Sequence, residues 1–222
     1  MPRGKTWSYE TGVHVPMLVR WPGVAKPGQV RSENVSLVDV MPTLLAAIGI
    51  NALGPLAGAA LQPLLRGEPA KDWREFLFTE ENFHEPQMFH GQRTVRDGRY
   101  KLLLNLATFQ PHSEMRSDSV TGEWWVEVGL TSPQSPVELF DLQTDPDETK
   151  NLANDPAHAA TRRRLEAALR NLRETEAADP LLDPARARRW KDAAAHWGRL
   201  PRVKAGLNNI VRIPNGELYL LK

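Results

Sequence analysis

The sequence predicts an α+β fold: a strand-helix piece of the kind found in parallel α/β sheets, then antiparallel strands packed by a long helix. Three observations carry this expectation. Val15, Met17, Leu18, Val19 and Trp21 form a nearly continuous apolar run closed by Pro22-Gly23, the pattern of a strand buried on both faces. Two strand-like segments, 92–96 and 99–105, flank Asp97-Gly98, a hairpin signal. Leu165, Leu169 and Leu172 recur at helical spacing within residues 156–178, which gives a helix with one apolar stripe. Strands grouped together and followed by a helix belong to α+β architectures.

Each element follows from local chemistry. Residues 13–21 are the first strand, and Lys26-Pro27-Gly28 makes a turn. Ser36 or Asp39 opens a helix that runs to about Ile48 and stops at Gly49; with Asp39 as cap, Pro42 falls in the first turn, where its lost N–H is not needed. Val40, Leu44, Ala47 and Ile48 then share one face. A short helix covers 59–66 and ends at Gly67, a strand covers 75–79, and the Asp97-Gly98 hairpin suits the positive φ angles of a type I′ turn. Residues 137–142 are a fourth strand and 144–147 a turn; the long helix follows, then a tail with a helix at 185–197 and a strand-like piece at 217–221. The expected division is 1–70, 71–180 and 181–222, without an internal repeat.

Composition narrows the function classes. The chain has 222 residues, 41% hydrophobic and 25% charged, so it can bury a core. Its 28 basic and 27 acidic residues leave a net charge of +1, which gives no global field for nucleic acid or an anionic membrane. There is no cysteine, which excludes disulfides, thiolate metal sites and a cysteine nucleophile from these residues. No window approaches the roughly 18 apolar residues of a membrane span, and no secretory leader is evident.

Several clusters could carry chemistry. Lys5, ahead of Tyr9-Glu10, presents an ammonium suited to sulfate or phosphate; on the residues alone it reads as a solvated lysine in a terminus. Glu80-Glu81-Asn82-Phe83-His84-Glu85-Pro86 gathers three carboxylates and an imidazole; it can bind a sugar or move protons, or simply hydrate a loop. Its spacing matches no defined metal motif. His14, between Val13 and Val15, reads from its position as a hydrogen-bonded structural histidine. The arginines at 162, 163, 170 and 173 alternate with Glu166, Glu174 and Glu176 as a salt-bridged solvent face. Trp124-Trp125 can stack on a sugar or plug a loop, and Asn34-Val35-Ser36 fits the glycosylation pattern.

Four segments in order resemble the sulfatase family. They are Gly4-Lys5 with Tyr9-Glu10, Gly12-Val13, Val15-Pro16 and Arg20-Trp21-Pro22-Gly23; the helix-opening stretch from Ser36 to Leu45; Arg96-Asp97-Gly98-Arg99-Tyr100-Lys101; and Glu138-Leu139-Phe140-Asp141-Leu142 with Asp145-Pro146-Asp147-Glu148 and Asn151-Leu152-Ala153. Phe83-His84-Glu85 followed by Arg93-Thr94-Val95-Arg96 looks most like the heparan N-sulfatase branch. The resemblance implies the rear part of an alkaline-phosphatase-like α/β fold: the last strand and helix of the large sheet domain, plus a small antiparallel subdomain packed by a long C-terminal helix. It implies hydrolysis of sulfate esters or sulfamates on a sulfated carbohydrate or aryl sulfate, with a formylglycine nucleophile beside calcium. Lys5 then corresponds to a sulfate-contacting residue, and His84, Glu85, Arg93 and His14 to substrate-binding candidates. The family suggests a periplasmic or extracellular location, with no nucleic-acid or membrane partner.

The sequence departs from the family pattern in having no Cys/Ser-x-Pro/Ala-x-Arg and no paired aspartates near a first strand. Met1 therefore reads as an internal methionine. Formylglycine and the calcium ligands are expected on an N-terminal sulfatase portion outside these residues, and the chain alone is expected to be inactive. The alternative expectation is a non-catalytic module that binds sulfated glycans.

Overall fold

The computed structural model describes residues 7–69, 71–83, 89–106, 135–176, 179, 182–185, 188–189, 192, 210–212 and 218–220. At its centre lie β1 (Leu77–Phe83), β2 (Phe89–Arg96), β3 (Tyr100–Asn105) and β4 (Val137–Asp141), an antiparallel sheet in the order β1-β2-β3-β4. Register pairs Arg96 with Lys101 and Leu102 with Leu139. Successive side chains on a strand point to opposite faces, and here both faces are covered.

One face carries Val95, Leu102 and Leu139, which pack with Leu152, Ala153, Leu165 and Leu169. The last two lie on a helix over Ala159–Asn171, preceded by a 3-10 turn at Pro156–His158 and continued by a π turn at Leu172–Glu176. The Asp155 carboxylate caps this start by accepting from the Ala157 amide at 2.9 Å. The opposite face carries Leu103 and Phe140, packed against Tyr9 and flanked by Trp7 and Leu142. Residues 7–13 thus form the third layer, with α1 (Glu10–Val13) as one helical turn.

The apolar run at residues 13–21 departs from expectation: beyond α1 it forms no ladder among the described residues, and Leu18 is 97% exposed. A strand exists only through hydrogen bonds to its neighbours, and Pro16 and Pro22 each lack a donor.

The next helix appears as expected but faces outward. A 3-10 turn at Leu37–Asp39 leads into α2 (Val40–Ala47), and Gly49 adopts φ 70 in the left-handed region that ends helices. The buried side of α2 is polar. Asp39 is 0% exposed and accepts from the Ser36 amide at 2.7 Å, the Ala59 amide at 2.8 Å and both terminal nitrogens of Arg74. Thr43 Oγ1 donates to the Asp39 carbonyl at 2.6 Å and accepts from the Leu61 amide at 2.9 Å. Val40, Met41, Leu44 and Ile48, on the apolar side, are all exposed.

The remaining elements are α3 (Gln62–Leu65), shorter than the helix expected at 59–66; the long helix above, α4 (Ala159–Asn171); and a two-stranded antiparallel pair, β5 (Ile210–Arg212) with β6 (Leu218–Leu220). Most of the expected tail helix and the Trp124-Trp125 segment lie outside the described residues. The β2-β3 turn also differs from the type I′ expectation, since Gly98 has no positive φ. Asp97 closes it instead: its Oδ1 accepts from the amides of Arg99 and Tyr100, both at 2.6 Å, an Asx arrangement that satisfies the turn without left-handed backbone. No helix among the described residues is long and apolar enough to cross a membrane.

Candidate functional site

Lys5, His84 and Glu85 lie outside the described residues. From Ser8 onward, three positions after Lys5, the chain is tied to the sheet at three consecutive residues. The Ser8 amide donates to Gln92 Oε1 at 3.1 Å, the Tyr9 hydroxyl to Glu138 Oε2 at 2.7 Å, and the Glu10 amide to Glu148 Oε2 at 2.6 Å. The Glu10 carboxylate then receives Lys101 Nζ at 2.9 Å and Arg96 Nη1 at 2.6 Å.

Lys101 sits at the centre of this cluster. Its side chain is 1% exposed, and its Nζ lies 2.9 Å from Glu10 Oε1 and 3.2 Å from Glu148 Oε1. Two carboxylates, one ammonium and the Arg96 guanidinium make the cluster formally neutral, the condition for keeping charge out of water. Glu148 reaches it from the turn after β4 in a left-handed conformation, φ 54. This is a costly geometry for a residue with a Cβ, of order 1 kcal/mol, and it aims the carboxyl at the Glu10 amide and Lys101. Burial pushes the Glu148 carboxyl above the ordinary carboxylate range, against the opposing pull of Lys101 and the Glu10 N–H.

His14 lies beside this cluster, its Nδ1 3.4 Å from Glu10 Oε2 and its side chain mostly exposed. Arg93 is elsewhere. It alternates with Gln92 along β2 and so faces the α4 side of the sheet, where its Nε and Nη2 hold the Asp179 carboxylate at 2.9 and 2.7 Å. Arg173 Nε joins the same carboxylate at 2.6 Å. Arg93 also donates to the Glu81 carbonyl at 3.2 Å and to Asn82 Oδ1 at 2.9 Å, which steadies the end of β1 that leads to His84 and Glu85. The sheet therefore separates His14 from Arg93 rather than joining them. Asn34, in the glycosylation pattern, donates its side-chain amide to the Glu75 carbonyl at 2.6 Å.

The Glu10–Lys101–Glu148 cluster was not foreseen, although the sequence carries its signal: Lys101 and Glu138 sit within apolar strand segments, Tyr-Lys-Leu-Leu-Leu and Val-Glu-Leu-Phe. A charge in a strand buried on both faces must find a partner.

Among the described residues no group of three His, Asp or Glu is arranged to hold a metal ion. The buried carboxylates of Glu10 and Glu148 are already engaged by Lys101 and Arg96, so this donor set does not fit calcium.

Comparison with known proteins places this geometry. A family model described as N-sulphoglucosamine sulphohydrolase, C-terminal, matches residues 4–113. Human N-sulphoglucosamine sulphohydrolase is 30% identical over 184 residues, spanning 71% of this chain and 36% of that protein. An ulvan-active sulfatase from Formosa agariphila is 28% identical over 166 residues, spanning 73% of this chain and 33% of that protein. A structure from Bacteroides thetaiotaomicron, solved in work on the metabolism of multiple glycosaminoglycans, superposes with a TM-score of 0.50 at 22% identity, over 76% of this chain and 31% of that one. The chain spans about a third of the length of the curated relatives it matches.

Proposed function

The chain belongs to the sulfatase family as a C-terminal portion, and from that premise we propose that it supplies the rear wall of a site that hydrolyses sulfate esters or N-sulfate groups on glycans. The observation that carries this reading is the fixed run Ser8-Tyr9-Glu10, which follows the Gly-Lys pair at 4–5 after two residues. Lys5 is the sulfate contact. Its ammonium offsets charge on the sulfuryl oxygens as the leaving oxygen or nitrogen departs, which favours the transition state over the ground state.

His84 and Glu85 are the substrate-facing candidates at the connection from β1 to β2. Arg93, engaged by Asp179, steadies that connection through Glu81 and Asn82. His14 lies beside Glu10, on the side of the sheet that residues 7–13 cover, where it can approach a sulfated substrate. The attacking nucleophile and calcium belong to sulfatase polypeptide that these residues do not include.

The exposed apolar residues support this division of labour. Val15, Leu18, Val19, Met41, Leu44, Ile48 and Leu53 all lie between residues 15 and 53 and are uncovered, whereas large exposed apolar surfaces mark interfaces. Their occupant is the N-terminal part of a sulfatase domain; the relatives are more than twice as long as this chain.

Two assays test the proposal. The 222-residue chain alone turns over neither an aryl sulfate nor N-sulfated glucosamine, because losing a catalytic nucleophile costs about 10⁶-fold in other hydrolases; measurable turnover overturns that claim. Lys5→Ala abolishes most of the chain's salt-sensitive affinity for inorganic sulfate; unchanged affinity removes Lys5 from the site.

A further inference from the structure

We propose that the small sheet does more than stabilise the chain: Tyr9, Glu10, Lys101, Glu138 and Glu148 are positioning residues that set where Lys5 meets a sulfate group. The inference rests on the Lys5 reading above. Lys5 is three residues from Ser8, so its backbone is confined within about 11 Å of an amide fixed to Gln92. A flexible lysine binds an anion only in the fraction of conformers that aim it correctly, and apparent affinity falls by that fraction.

The sheet fixes residues 8–10 from the side that faces residues 7–13, which limits the directions the preceding chain can take. Gln92, Lys101, Glu138 and Glu148 come from β2, β3, β4 and the turn after β4, yet all converge on three successive residues of one segment. Their spread across the sheet is the point. A segment held by one strand can pivot, while a segment held by three strands and a turn cannot move without breaking buried charge pairs. The Tyr9 ring adds an apolar clamp, 1% exposed, with its centroid 6.2 Å from that of Phe140 and 6.3 Å from that of Trp7.

The full chain is the material for the test, with inorganic sulfate as probe and chloride at matched ionic strength as control. Tyr9→Phe keeps the ring and removes only the hydroxyl bond to Glu138; Lys101→Met removes the central cation. Amide exchange at Ser8 and Glu10 accelerates about three- to tenfold in Tyr9→Phe, the worth of one hydrogen bond, and further in Lys101→Met. The Leu152 amide, which donates to the Leu139 carbonyl at 2.8 Å on the α4 side, keeps its protection in Tyr9→Phe. Sulfate affinity, read from the Lys5 side-chain NMR signal, falls in the same order, by at least about threefold in Lys101→Met.

Leu165→Ala separates positioning from stability: it weakens the core under α4 and leaves the Lys5 response to sulfate intact. An unchanged sulfate response in both anchor variants overturns the proposal, as does uniform acceleration of exchange at Ser8, Glu10 and Leu152 in Tyr9→Phe. Should Lys101→Met fail to fold, Tyr9→Phe alone decides. A lack of sulfate response at Lys5 in the unaltered chain removes the Lys5 reading itself, and it is seen before any variant is made.

Discussion

Lys101 is a cation almost wholly withdrawn from water, 1% exposed, and the carboxylates of Glu10 and Glu148 make that tolerable. Removing one member of a buried charge group leaves the others uncompensated, which costs about 3–5 kcal/mol. Lys101→Met is therefore expected to lower unfolding free energy by about that amount in urea titration; a loss below about 1 kcal/mol would show that water already reaches the cluster. At the surface the same chemistry acts through pH. The Arg99 guanidinium binds both oxygens of Asp141, at 2.9 and 2.6 Å, and this holds the Asp141 carboxyl down to about 2 from an ordinary 3.8. A lowered carboxylate pKa contributes stability that is present above the unfolded value and lost as pH falls toward the folded one. Arg99→Met should raise the Asp141 titration midpoint toward 3.8 and move acid unfolding to higher pH; an unmoved midpoint in a carbon-13 titration would assign the shift to the turn amides instead.

The elements differ in how their apolar faces are used. α4 buries Leu165 and Leu169 against Val95, Leu102 and Leu139, so Leu165→Ala should cost about 2–5 kcal/mol in chemical unfolding. α2 buries Thr43, with Asp39 buried at its start, and leaves Leu44 59% exposed, so Leu44→Ala in the isolated chain should stay within about 0.5 kcal/mol. Equal losses at the two positions would mean that α2 is packed in solution. This contrast also shows what was legible in the sequence. Leu165 and Leu169 of the leucine stripe, the hairpin about Asp97, the strand expected at 137–142 and found at Val137–Asp141, and the stop at Gly49 are local patterns, and each stands in the structure. The strand expected at residues 13–21 does not, because apolar sequence states that something covers a segment without saying which polypeptide does so. The candidate site divides in the same way. Lys5 is proposed from its motif alone, whereas the meeting of Glu10 with Lys101 and Glu148, separated by 91 and 138 residues along the chain, depends on register between strands. Arg93 shows the converse, since alternation along β2 turns it to the side of the sheet opposite Glu10.

At the scale of the whole molecule, a four-stranded sheet is covered on one side by α4 and on the other by residues 7–13, and that sandwich is complete. Residues 15–56 are different: they contribute Val15, Met17, Leu18, Val19, Val30, Leu37, Val38, Val40, Met41, Leu44, Ile48, Ile50, Leu53 and Leu56 to the exposed surface. Fourteen large apolar side chains concentrated in one stretch exceed the scattered exposure normal for a self-contained domain. In the function proposed above, the N-terminal part of a sulfatase domain covers them; the sulfatase relatives are more than twice as long as this chain. The most direct test of this reading is binding of an environment-sensitive hydrophobic dye to the purified 222-residue chain, with Leu18→Ser, Leu44→Ser and Leu53→Ser for comparison. Strong dye fluorescence in the folded chain, reduced stepwise by the three serine substitutions, is the predicted result. A folded, monomeric chain that unfolds cooperatively and leaves the dye dark would contradict it and favour a self-contained module.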